Sequence, residues 1–396
     1  MSTGFGKGSH LHLIDGSAFI FRAYHALPPL TRKSDGLPIG AVSGFCNMLQ
    51  RYVENNSGKD APTHIAVIFD KGSHTFRNDL YDQYKANREA MPEDLRPQIP
   101  LTRRATEAFN IACKELEGYE ADDIIATLAC QAREAGGSVT IVSSDKDLMQ
   151  LVGDGVVMYD AMKNRVIDRD GVFEKFGVYP ERVVDVQALA GDSVDNVPGA
   201  PGIGVKTAAQ LLGEFGTLEE LLDRAEEIKQ PKRRQTLIEK RDQIELSKKL
   251  VQLDCETPLD FTLDDLEVKE PDPDKLMPFL AKMEFRTLTR RISEKLGVEA
   301  PAIATQHRRG HARPVGALQA GQQVLDEPMR GERGVTLQVD DHVEIAGQNL
   351  QRLGASFGAI AAGVRGHDDL GPEGLCRVPD PVIVSGDTDP IDTSHL

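Results

Sequence analysis

The sequence predicts an α/β fold, a mainly parallel sheet with helices on its faces, continued by a helical region. Two observations carry this. Three β-branched apolar runs, LHLIDG, THIAVIFD and SVTIVSSD, each close on an aspartate, with amphipathic stretches such as 41–55 and 100–116 between them. Strand–helix alternation of this kind builds parallel sheets. From 181 to about 295 the pattern becomes helical and rich in charge.

Each element has its own warrant. The three runs are short and β-branched, which suits strands buried on both faces. Stretches 41–55 and 100–116 repeat apolar residues at helical spacing. In the second region VVDVQALAGD reads as an apolar helix, and 206–215 as another after a Gly-rich turn. Stretches 218–226 and 235–250 continue the pattern, and PDPDKLMPFLAKMEF reads as a last helix returning to the body. The expected organisation is 1–180, then 181–297, then a tail over 298–396.

After about Gly297 the composition breaks: lysine disappears, and Gly, Arg and His become frequent. A disordered tail is one reading. Translation from a shifted reading frame is the other.

Composition narrows the function classes. At 40% apolar and 27% charged residues the chain is ordinary for a globular protein. No run approaches the roughly 18 apolar residues of a membrane span, and the start lacks a signal core. A cytoplasmic, nucleoid-associated setting without membrane contact is expected. The five cysteines form no CxxC pair, so buried free thiols are expected rather than zinc or disulfides.

The net charge of −16 argues at first against phosphate binding. Its distribution weakens that objection. Residues 301–396 hold 13 acids, 8 arginines and no lysine, leaving 49 acids against 38 bases before them. Nine of those acids read as metal ligands, whose charge bound cations would offset.

The acids fall in five places. Asp15 and Asp70 end the first two apolar runs; Glu120, Asp122 and Asp123 open a helix in EGYEADDIIATLA; Asp145 and Asp147 follow the third run; Asp192 and Asp195 lie in GDSVDNVPG. Glu120 and Asp123 are three apart and share a helix face, as Asp192 and Asp195 would. Ligands of parallel sheets bind beyond the carboxyl ends of the strands, where these aspartates sit. Hard divalent ions take oxygen ligands, and two ions about 4 Å apart suit phosphodiester hydrolysis. An aspartate after a strand is also an ordinary turn or capping residue; Asp122 and Asp147 are the members most open to that reading.

Between Asp70 and Glu120 the chain is polar and carries Tyr84, Lys85 and Arg88 within about one helical turn. A cation there could neutralise an attacked phosphate, and Tyr84 could stack on an unpaired base; the alternative is a solvated amphipathic helix. In NVPGAPGIGVKTAAQLL, Gly199, Gly202 and Gly204 free the backbone for close approach, and Lys206 and Thr207 open the next helix, a ready anion site. No Ser/His/Asp or Cys/His arrangement suggests a covalent intermediate.

Six motifs in order, LIDGSAFIFRAYHALPPL, VIFD, YKANR, GYEADDIIATLA, SSDKDLMQLV and GDSVDNVPGAPGIGVKTAAQLL, resemble the 5′ nuclease domain of bacterial DNA polymerase I, itself similar to flap endonucleases and phage 5′ nucleases. The resemblance covers about residues 10–295. It implies a PIN-like α/β nuclease domain joined to a helix–two-turn–helix DNA-binding region. It implies two or three Mg²⁺ or Mn²⁺ ions on the nine acids named, with a K⁺ at the helix–two-turn–helix. It implies a helical arch over about 74–118, with Lys85 and Arg88 on the scissile phosphate and Arg22 as a further phosphate contact. The implied substrates are branched or 5′-ended duplex DNA, flaps, nicks and RNA primers, handled by a monomer in replication and repair. The competing expectation is a truncated or frame-disrupted polymerase I fragment that binds junctions without a polymerase domain.

Overall fold

The computed structural model describes residues 4–58 and 61–303, all within one compact unit. The expected tail, including its frame-shift reading, lies almost wholly outside the described residues.

In chain order the first half comprises β1 (His10–Asp15), α1 (Gly16–Ala26), α2 (Gly40–Asn55), β2 (His64–Ile68), α3 (Phe76–Leu80), α4 (Ile99–Ala108) and β3 (Ala112–Lys114). There follow α5 (Ala121–Glu134), β4 (Ser138–Val142), β5 (Val156–Asp160), β6 (Arg165–Ile167) and α6 (Arg169–Phe176). The remaining helices are α7 (Val183–Ala190), α8 (Val205–Phe215), α9 (Leu218–Asp223), α10 (Pro231–Glu239), α11 (Arg241–Val251), α12 (Pro273–Lys282) and α13 (Arg286–Leu296).

The sheet order is β3-β2-β1-β4-β5-β6, parallel except for the β5–β6 hairpin. The chain first builds outward from β1 through β2 to β3, then returns to the other side of β1 with β4. That reversal opens a crevice at the carboxyl ends of the strands.

Alternate residues of each strand face opposite sides. Leu11 and Leu13 of β1 join a core with α5, α7 and α8, whereas Ile14 joins one with α1, α2, α12 and α13. The first core runs without a break across residue 180, from Leu11 to Leu189 and Leu211. The helical region is thus packed into the sheet-bearing body rather than standing beside it.

Several expectations need correction. Stretch 100–116 is not one helix: α4 ends at Ala108, Asn110 takes a left-handed φ of 60°, and β3 follows. The short strand was hidden because its residues are only half-buried. Stretch 235–250 breaks at Lys240 into α10 and α11, and α9 stops at Asp223. In region 74–118 the five-residue α3 is followed by turns and a 3-10 turn over Arg96–Gln98 that leads into α4. Cys130 and Cys255 are paired as a disulfide, with Cα atoms 6.1 Å apart, against the expectation of free thiols. Cys46 and Cys113 are free as expected. Among the described residues no helix is long and apolar enough to cross a membrane.

Candidate metal centre and nucleic-acid interface

The crevice holds a cleft of about 740 Å³. Eight of the nine acids line it: Asp15, Asp70, Glu120, Asp122, Asp145, Asp147, Asp192 and Asp195. They come from segments up to 180 residues apart in the chain.

Local backbone chemistry explains how each acid is held there. Asp15 caps α1, its Oδ1 accepting from the Ala18 amide at 2.9 Å and its Oδ2 from the Ser143 hydroxyl at 2.8 Å. Asp70 accepts from the Ala121 amide at 2.9 Å and from the Ser17 hydroxyl at 2.6 Å. Asp145 accepts from the Asp147 amide at 2.9 Å, and Asp192 from the Val194 amide at 2.8 Å. Capping and cleft-lining are therefore two duties of the same carboxylates, not alternatives. Gly16 permits the closest approach: a Cβ there would stand 2.5 Å from the Phe69 ring, so only glycine lets α1 start beside the end of β2.

Gathering acids raises their proton affinity. Burial, with added repulsion from Asp145 and Asp70, pushes Asp15 up to about 6 despite its hydrogen bonds. Burial and the charges of Asp145 and Asp15 raise Asp122 well above the ordinary carboxylate range. Burial and Asp145 push Asp147 up to about 7. Asp192 behaves oppositely: burial acts to raise it, but hydrogen bonds from Lys146 and the Val194 amide bring it down. Among the described residues no three His, Cys, Asp or Glu side chains form a ready-made cage for an ion.

Bases face the acids across the same cleft. Lys85 Nζ lies 2.6 Å from Glu120 Oε1 and 3.6 Å from Asp195, and Arg88 Nη2 lies 2.5 Å from Asp195. Burial acts to discharge Lys85, but Glu120 and Asp195 outweigh it, so the ammonium stays charged. The two bases meet through a turn rather than a helix face. Lys85 sits at φ 57°, its amide bonded to the Asp195 carbonyl at 2.9 Å, and the Arg88 amide reaches the Lys85 carbonyl at 3.1 Å.

Three expected site residues are placed otherwise. Asp123 does not line the cleft; it is fully buried, and its carboxylate receives Arg77 Nη1 at 2.6 Å and Nη2 at 2.8 Å. Arg77, 1% exposed, also donates to the Leu250 and Gln252 carbonyls at 2.8 and 3.0 Å. Tyr84 is 4% exposed and cannot offer a face to a base; its hydroxyl points at Glu120 Oε2, 3.3 Å away. Arg22 is half-buried on α1 and is not among the cleft-lining residues.

The Gly-rich turn divides in the same way. Gly199 is buried with φ 57°, and a Cβ there would meet the Gly191 amide nitrogen at 2.4 Å. It serves the close crossing of two backbone segments, not a ligand. Gly202, Gly204 and Lys206 are exposed, and Thr207 half-exposed, at the amino end of the 11-residue α8.

Sequence reasoning missed several cleft residues, Lys146 and Phe21 among them. Lys146 is hydrogen-bonded to Asp192, a role that its neighbours Asp145 and Asp147 could have suggested. Phe21 lines the cleft at 43% exposure; its place on the polar side of α1, next to the buried Phe19 and Ile20, was the available signal.

With this geometry established, comparison with known proteins is direct. Residues 10–177 fit the family described as 5′-3′ exonuclease, N-terminal resolvase-like domain, and residues 178–274 fit the 5′-3′ exonuclease, C-terminal SAM fold. A 5′-3′ exonuclease of Aquifex aeolicus is 38% identical over 284 residues, covering 72% of this chain and 95% of that protein. The chain belongs to the 5′-3′ exonuclease family. It is also 60% identical over 300 residues to a DNA polymerase I of Rhizobium leguminosarum, covering 75% of this chain and 30% of that protein. The chain thus spans less than a third of that relative's length. The fold is shared with the phage T5 D15 protein co-crystallised with metal ions, at a TM-score of 0.53 and 21% identity, covering 73% of this chain and 98% of that one.

Two predictions follow from the site's electrostatics. Arg77→Met or Asp123→Asn should each cost about 3–5 kcal/mol in urea unfolding, because each leaves a buried charge or donor unpaired; losses below about 1 kcal/mol would show that the pair is no strut. The second concerns pH. Asp15 and Asp147 bind protons up to about 6 and about 7 in the folded chain, against an ordinary value near 4 when unfolded. The native state therefore holds more protons across roughly pH 4–7, and their contribution to stability falls as pH rises through that window. Melting in chelating buffer should show this decline, and Asp122→Asn should make it shallower; a steeper decline in the variant would contradict the assignment.

Proposed function

We propose that this chain is a divalent-metal-dependent 5′ nuclease that hydrolyses phosphodiesters at or near the 5′ ends of flaps, nicks and primer strands. The observation that carries the reading is the cleft itself, where eight carboxylates from distant segments share the lining with Lys85, Arg88 and Lys146. Family membership and the metal-bound state of the T5 D15 protein support it.

The donor set fits hard divalent cations. Every candidate ligand is a carboxylate oxygen, and several hold protons that a cation would displace. Asp15, Asp70, Glu120, Asp122, Asp145, Asp147, Asp192 and Asp195 are the residues that would hold Mg²⁺ or Mn²⁺. Such ions, when bound, supply Lewis acidity toward phosphate oxygens and water.

The chain's own residues do the rest. Lys85 and Arg88 are salt-bridged to Glu120 and Asp195, so a substrate phosphate competes for the same two cations and is drawn to the acids' edge of the cleft. Phe21 offers an apolar face to a base of the strand end. The exposed turn at Gly202 and Gly204, with Lys206 and the α8 amino terminus, would grip duplex backbone, with or without K⁺. Backbone contacts carry no base readout, so recognition would follow the shape of the DNA.

The test is cleavage of a labelled 5′-flap duplex in Mg²⁺, with flap binding measured in parallel. Asp15→Asn and Lys85→Ala should each lose at least about 100-fold in rate, a scale set by loss of a transition-state charge contact, while binding persists. Wild-type binding without cleavage in either Mg²⁺ or Mn²⁺ would instead favour a junction-binding fragment.

A further inference from the structure

Helix α5 carries the acids at its first turn and Cys130 near its last. Along it runs the segment after α11, from Gln252 to Thr257, bonded at each turn. The Asp254 amide donates to Asp123 Oδ1 at 3.0 Å. The Thr127 hydroxyl donates to the Asp254 carbonyl at 3.0 Å, and the Thr257 amide to the Thr127 hydroxyl at 3.1 Å. The strap thus ties the buried Arg77–Asp123 pair at one end to the Cys130–Cys255 pair at the other.

The cysteines are not equivalent chemically. Cys46 is wholly buried, which drives its thiol far up, and burial pushes Cys113 up to about 12. Thiols held protonated are poor nucleophiles. Cys130 and Cys255 are half-buried, as Cys113 is, but they open together onto a separate cavity of about 370 Å³. Arg133, Arg182 and Lys248 share its lining with Glu181, Asp185 and Glu219. A small charged reagent entering this cavity meets both members of the pair, whereas Cys46 and Cys113 do not line it.

We propose that Cys130 and Cys255 form a reversible dithiol–disulfide site whose reaction partner is a small-molecule disulfide of the glutathione type, and whose oxidation braces the strap against α5. One cysteine thiolate attacks a sulfur of the reagent and expels the first small thiolate. The second cysteine thiolate attacks the resulting mixed disulfide and expels the other. Two protein thiols are oxidised and one reagent disulfide is reduced, the two protons of the protein thiols passing to the two expelled thiolates. The site adds to the nuclease reading without depending on it. Closing a loop over 125 residues restricts the unfolded chain strongly.

The test uses the full chain equilibrated with oxidised or reduced glutathione, alkylated in the native state and mapped by mass spectrometry. The expected result is a Cys130–Cys255 linked peptide only in the oxidised sample, lost on adding dithiothreitol, with Cys46 and Cys113 as thiols in both. Oxidised protein should melt about 5 °C or more above reduced protein, and Cys130→Ser or Cys255→Ser should abolish the difference. The wild-type comparison stands even if a serine variant does not fold. Free or separately glutathionylated Cys130 and Cys255 in the oxidised sample, linkage to other cysteines, or equal melting of the two wild-type forms would overturn the proposal.

Discussion

Mutual repulsion among carboxylates at one end of the sheet is the constraint around which this molecule is arranged. Like charges in a shared cleft resist ionising together, and the raised proton affinities of Asp15, Asp122 and Asp147 express that resistance. The fold sustains it with rigid local anchors. Backbone amides of Ala18, Ala121, Asp147 and Val194 fix four of the acids, while Lys85, Arg88 and Lys146 neutralise part of the charge. Natural proteins concentrate such conflict where they act on other molecules.

A second charged pair keeps this arrangement from relaxing. Arg77 spans from the segment after β2 to α5 and to the end of α11, with its donors distributed over Asp123 and two carbonyls. Removal of water from such a pair is costly unless every hydrogen bond is made, and here they are made. The stretch bearing Arg77, Lys85 and Arg88 is thus tied to the start of α5 both through Asp123 and through Glu120. The strap along α5 extends the same bracing outward.

Much of this was legible in the sequence. Strands ending in aspartate fixed the sheet edge, and spacing placed Glu120 at a helix start, because backbone periodicity is a local property. Asp123 shows where the reading ended. Its neighbours Glu120 and Asp122 face the cleft, and nothing in EADD tells which carboxylate meets an arginine over forty positions earlier. Tyr84 failed for the same reason: its burial comes from tertiary packing against Val197, Leu250 and Val251, not from its own segment. Lys85 and Arg88 were brought together as expected but by a left-handed turn instead of a helix. Strand β3 and the hairpin of β5 and β6 were missed because strands of three to five residues, half-buried in β3 and mostly exposed in β6, leave little pattern to read.

The central claim, that these acids form one pocket poised to exchange protons for cations, is tested most directly by calorimetry. Mn²⁺ would be titrated into the full chain at pH 6.5 in two buffers of different ionisation enthalpy. Release of about one proton or more per chain, reduced in Asp122→Asn, is the outcome this account requires. Tight binding with no proton release, or no binding at all, would contradict it.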